Sequence, residues 1–215
     1  MSTFVHGALT ATAGVLAGLG LAAGPLWRQH RATAAARFQA THDDVTGLAN
    51  RRAALALLTR AAREGRAHGL VLLDLDKFKT INDTYGHEAG NDLLAEVGRR
   101  LSALPHPVTL AARLSGDEFA LVVYGGPARV QAAALAAWHA IRAAPGSLGQ
   151  HTVPVRASVG YACARPGASP HDLLRRADEA MYRAKTLAGR GSGPFPAHPA
   201  PGRKPPGRCR DWPRS

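Results

Sequence analysis

An α+β fold, one sheet with helices packed on it, is what this chain predicts, and three observations carry the expectation. Two short apolar runs, 70–75 (LVLLDL) and 119–124 (FALVVY), read as strands. Four longer stretches repeat their apolar residues at helical spacing. The segments succeed one another in the order α-β-α-β-β-α-β-α, which suits a sheet covered by helices.

In chain order, residues 50–66 show Leu55, Leu58 and Ala62 at helical spacing, with Ala54 and Leu57 widening the stripe, and stop before Gly69. Residues 70–75 are apolar up to Asp74, as in a buried central strand whose acids emerge at the sheet edge. A second helix, 90–104, runs through Leu93, Leu94, Val97, Leu101 and Leu104 to Pro105. Residues 109–114 and 119–124 form a hairpin connected by Ser115, Gly116, Asp117 and Glu118. An Ala-rich helix, 127–144, ends at Pro145-Gly146. Residues 153–164 read as a strand, and Ser169-Pro170 opens a last helix carrying Leu173, Leu174, Ala177, Met181 and Leu187.

The chain has 215 residues and a formal charge of +12, but the charge is unevenly spread. Residues 1–40 contribute +3 and residues from 188 onward +5, leaving +4 for the folded middle. Most of the excess therefore lies outside the predicted domain, which argues against a nucleic-acid groove on it. Cys163 and Cys209 lie in unrelated contexts and predict neither a disulfide nor a metal cluster, as in a reducing compartment. Residues 8–27 hold no charge and match the length of a membrane-spanning helix. A signal peptide would want a basic start, which residues 1–7 lack, and a packed soluble helix would want a polar stripe. We read 1–27 as a membrane anchor, single-pass, with Arg28 and Arg31 placing the C-terminal part in the cytoplasm; a wholly cytoplasmic chain is the alternative. Residues 28–41 are expected to be a helical linker, and 191–215 a disordered, basic, Pro/Gly-rich tail.

Acids stand at two strand ends. Asp74 and Asp76 close one strand, and Asp117 and Glu118 sit at the hairpin turn, so the two edges offer hard oxygen ligands for magnesium. Gly-Asp is also a favoured turn in any hairpin, and strand-end acids are common, so the residues alone leave both readings open.

The run DLDKFKTINDTYGHEAGN, 74–91, together with RLSGDEF, 113–119, resembles the GGDEF domain of diguanylate cyclases. The likeness extends to HDDVTGLANRR, 42–52, and to RADEAMYRAK, 176–185, so four ordered motifs span 42–190. It implies a palm-like sheet similar to those of nucleotide cyclases and polymerases. It also implies that two GTP are condensed to cyclic di-GMP at the interface of a homodimer, with Mg2+ or Mn2+. By the same resemblance Asp74, the Leu75 carbonyl, Asp117 and Glu118 hold metal, with Asp74, Asp117 and Glu118 catalytic. Phe78, Lys79, Lys185 and Arg190 would hold the phosphates, and Asn82 with Asn91 the guanine.

The chain departs from the family pattern at four places. Ser115 replaces the first signature glycine, and Asn91 stands where an aspartate is usual. Arg190 lies one residue farther from Lys185 than the pattern has it. His106-Pro107-Val108-Thr109 occupies the place of the product-inhibition motif, so feedback through that site is not expected. These departures give an alternative, a degenerate domain that binds GTP or a protein partner without chemistry.

Overall fold

The computed structural model of the chain describes residues 38–187 and 193–197. The candidate span 8–27, most of the linker, Arg190, Cys209 and most of the tail lie outside the described residues. Contacts divide the chain between Ala40 and Thr41, and the sheet and its helices belong to the second unit. Among the described residues, no helix is long and apolar enough to cross a membrane.

The strands are β1 (Ala49–Asn50), β2 (His68–Leu75), β3 (Val108–Ser115), β4 (Glu118–Tyr124), β5 (Gly146–Leu148), β6 (His151–Val153), β7 (Ala157–Cys163) and β8 (Phe195–Pro196). The helices are α1 (Arg51–Arg63), α2 (Phe78–Ser102), α3 (Pro127–Arg142) and α4 (Pro170–Leu187). The main sheet runs β1-β3-β4-β2-β7-β8, and β5 and β6 form a separate ribbon. As its apolar sequence predicts, β2 is central, antiparallel to both β4 and β7.

Alternation along β2 sorts its side chains onto two cores. Val71, Leu73 and Leu75 pack with Phe119, Leu121, Leu93, Val97, Val130 and Ile141, on the face covered by α2 and α3. Leu70 and Leu72 pack with Leu58, Ala120, Val122, Leu173 and Met181, on the face covered by α1 and α4. Each of the larger side chains, alanine excepted, contributes about 1.5–3 kcal/mol by leaving water, so both faces hold β2 firmly. Asp74 continues the Leu70 and Leu72 set and so falls on the α4 face. That helix comes very close to the sheet, because a Cβ on Gly160 of β7 would lie 2.0 Å from the Met181 nitrogen.

Three elements differ from the sequence reading. Helix α2 begins at Phe78, well before residue 90, and breaks at Gly86, whose φ of 87° and ψ of 164° interrupt the helix. This break hides the early arm, 78–85, from a search for one continuous apolar stripe. The strand expected over 153–164 is divided, β6 ending at Val153 and β7 starting at Ala157. Pro154 lies in the gap, where its missing N–H interrupts a ladder. The composition of 191–215 predicts no order, yet Phe195–Pro196 pairs in parallel with Gly160 and Tyr161. Ala197 donates its N–H to the Tyr161 carbonyl at 2.7 Å, and Arg183 Nη2 donates to the Pro196 carbonyl at 2.8 Å. The exposed edge of β7 offers unpaired backbone groups, and a Pro-containing segment is already extended enough to meet them.

Two of these helices, α1 and α4, are capped by side chains at their starts. Asn50 Oδ1 accepts from Ala53 N at 3.1 Å at the start of α1, and Ser169 Oγ accepts from Asp172 N at 3.2 Å at the start of α4.

Candidate active site

The C-terminal end of β2 meets the β3–β4 turn at one edge of the sheet. Register places Glu118 directly across from Asp74 on one side, and Ser158 across from it on the other. Alternation puts both carboxylates on the α4 face. Gly116 and Asp117 form the two-residue turn, with Gly116 at φ 46°. Leu75 N donates to the Asp117 carbonyl at 3.2 Å, tying the turn to the end of β2. Lys77 is the one non-glycine residue with positive φ among the described residues, so Ser115 fits the signature without the left-handed backbone that would penalise a side chain. Its hydroxyl donates to Glu118 Oε2 at 3.1 Å, a contact that glycine could not make.

The turn is braced from below. Arg113 Nε donates to the Gly116 carbonyl at 2.9 Å, and its Nη1 reaches Asp43 Oδ1 at 3.0 Å. Asp43 Oδ1 also accepts from the Thr46 backbone N at 2.9 Å and the Thr46 hydroxyl at 2.8 Å. Burial works against the Asp43 charge, but the bonds from Thr46 and Arg113 outweigh it and hold the carboxyl below its ordinary range.

Helix α4 closes the acidic edge. Lys185 Nζ donates to Asp74 Oδ1 at 2.7 Å, with Asp74 buried and the lysine half exposed. Even so, burial pushes the Asp74 carboxyl above its usual range; Lys185 pulls it down, while Asp117 and Asp76 push it up. Burial also raises Glu118, against the hydrogen bond from Ser115, with Asp74, Asp178 and Asp117 adding repulsion. Asp178, two helical turns before Lys185 on the same face, is raised by burial and by Glu179 and Asp74. It is the functional candidate that sequence reasoning missed. The signal was its spacing of seven residues from Lys185.

Directly after β2 comes the N-terminus of α2. Lys77, at φ 60° and ψ 24°, turns the chain into the helix, and no side chain caps the first N–H groups. Those orphan donors, beside Phe78 and Lys79, suit an anion. The Phe78 side chain itself is buried in the core, so its contribution toward phosphate is limited to the backbone. Lys79 and Asn91 are exposed. Asn82 is half-buried, and its Oδ1 is buried without a hydrogen-bond partner.

Among the described residues, no three His, Cys, Asp or Glu side chains are gathered into a metal cage. Magnesium does not need one, since it keeps several waters and takes one or two carboxylates plus substrate phosphates. Asp74 and Glu118, hard donors whose charge burial disfavours and of which Lys185 bonds only Asp74, fit such a cation, with Asp117 at the adjoining turn.

The family model described as "Diguanylate cyclase, GGDEF domain" matches residues 40–191. The bifunctional diguanylate cyclase/cyclic di-GMP phosphodiesterase MucR of Pseudomonas aeruginosa is 40% identical over 154 residues, 68% of this chain and 22% of that protein. The response regulator PleD of Caulobacter vibrioides is 36% identical over 157 residues, 68% of this chain and 34% of that protein. The chain thus spans about a third or less of these relatives. The coiled coil and GGDEF domain of DgcB from Caulobacter crescentus, solved with c-di-GMP, superposes with a TM-score of 0.74 at 29% identity, covering 85% of this chain and 99% of that one.

Proposed function

Given that the chain belongs to the GGDEF diguanylate cyclase family, we propose that it condenses two GTP into cyclic di-GMP and two pyrophosphates, each nucleotide held by one copy of a homodimer. Each 3′-hydroxyl attacks the α-phosphate of the other nucleotide, and pyrophosphate leaves with the electron pair of the broken bond. The observation that supports this best is the convergence of Asp74, Glu118 and Lys185 beside an uncapped helix N-terminus.

Roles divide by chemistry. Asp74, Glu118 and Asp117, with the Leu75 carbonyl, hold Mg2+ or Mn2+, which when bound neutralises the triphosphate and acidifies the attacking hydroxyl. The backbone N–H groups of Phe78 and Lys79, the Lys79 side chain and Lys185 receive the phosphates, joined by Arg190. Glu118, directly across from Asp74, either completes the metal's ligands or takes the proton from the 3′-hydroxyl. Asn82 and Asn91 face the base. Residues 42–190 form the cyclase domain, and residues 1–27, outside the described residues, are the membrane anchor that would hold it on the cytoplasmic side, a wholly cytoplasmic chain being the alternative.

A second reading, a domain that binds GTP or a protein partner without turning it over, draws on the exposed Asn91 amide in place of a carboxylate. Incubation of the full chain with GTP and magnesium, then chromatography and mass spectrometry, separates the two. Cyclic di-GMP, formed at a rate that rises more than linearly with protein concentration, supports the cyclase. A dimeric sample that binds GTP and yields no product favours the second reading.

A further inference from the structure

We propose that Gly90 is a positioning residue for base recognition, seating the Asn82 carboxamide so that its NH2 end is the one offered to the nucleotide. The inference rests on the proposed function, in which Asn82 contacts the base. Asn82 lies on the early arm of α2 and Gly90 on the later one, across the break at Gly86. A Cβ on Gly90 would stand 1.9 Å from Asn82 Oδ1, 3.0 Å from its Cγ and 3.2 Å from Phe78 Cζ. Only a hydrogen fits in that space. The glycine Cα–H therefore faces the amide oxygen, as in a weak Cα–H···O contact.

Independently, Asn82 Oδ1 is buried and has no hydrogen-bond partner. A carboxamide has two unlike ends, an acceptor and a double donor, and rotation by half a turn exchanges them. With the oxygen shut against Gly90, the NH2 end is left clear of that contact, and it selects an acceptor on the base. A methyl group at position 90 would evict the amide and lose that selection, with no change to the acidic edge or to Lys185.

The test is a double-mutant cycle on the full chain, with affinity for a non-hydrolysable αβ-methylene GTP analogue measured by calorimetry. Gly90→Ala and Asn82→Ala are each expected to weaken binding about tenfold, the loss of roughly one hydrogen bond. The double variant binds no worse than Asn82→Ala alone, because the methyl group then has nothing to displace. Mn2+ affinity and melting temperature stay at wild-type values in Gly90→Ala. Should Gly90→Ala fail to fold, the double variant is expected to regain the melting temperature of Asn82→Ala, and failure to regain it overturns the proposal. So does an unchanged affinity in Gly90→Ala, or an equal loss in the Asn82→Ala background, which would route the effect through Phe78. A wild-type chain that does not bind the analogue overturns the nucleotide reading as a whole.

Discussion

Lys185 rests on the carboxylate that a divalent cation would need, so removing it is expected to make the cation bind more tightly even as catalysis fails. The contact is a single charge-assisted bond of 2.7 Å from Nζ to Asp74 Oδ1. Such bonds contribute about 1.5–3 kcal/mol, and the lower end applies here because the lysine side chain is 48% exposed and remains hydrated. A cation entering the wild-type protein must displace that bond, whereas in Lys185→Met it need not. The difference, about 1.5 kcal/mol, is roughly tenfold in the dissociation constant. Electron paramagnetic resonance of Mn2+ titrated into the nucleotide-free protein measures it. Both proteins are titrated at the same pH, since losing Lys185 raises the Asp74 carboxyl further. Equal or weaker Mn2+ binding in Lys185→Met would refute competition for Asp74.

Asp43→Asn should cost about 1–2 kcal/mol at neutral pH by leaving Arg113 without its carboxylate, a fall of a few degrees in thermal melting. Because the folded Asp43 carboxyl is held below the ordinary aspartate value of 3.8, its stabilisation is present above that pH and is lost as pH falls through the lower folded value; the variant should lack this part of the acid dependence. An identical acid profile would remove Asp43 from the brace. Gly160→Ala sets a Cβ against the Met181 backbone nitrogen and should cost about 1–3 kcal/mol or more, lowering the melting temperature and weakening GTP binding as α4 carries Lys185 away. Asn91→Asp should increase the preference for GTP over ATP, since a carboxylate accepts from the guanine N1 and N2 edge and repels adenine N1; competition assays with both nucleotides decide it.

Where one element's pattern decides the outcome, the sequence was readable. The apolar run 70–75 placed β2 at the centre, and its period of two put Asp74 on a defined face. The hairpin was legible in Gly116-Asp117 between two strands. Features that depend on two elements meeting were hidden. Lys185 lying on Asp74, and Asp178 lying near Glu118, result from the approach of α4 at Gly160, which no local pattern encodes. Helix 78–85 was obscured because Lys77 and Gly86 bound it with irregular backbone and its residues are mostly polar. Phe195–Pro196 looked like tail because its partner is the edge of β7, far away in sequence.

Product formation from GTP by the full chain, measured beside an Asp74→Asn variant whose melting curve matches the wild type, tests the assignment of the β2 edge most directly. Loss of one strand-end carboxylate, with β2 still buried on both faces, leaves the fold in place. The expected result is cyclic di-GMP and pyrophosphate from the wild-type protein and neither from Asp74→Asn. Wild-type rates in the variant would contradict the placement of catalysis at Asp74.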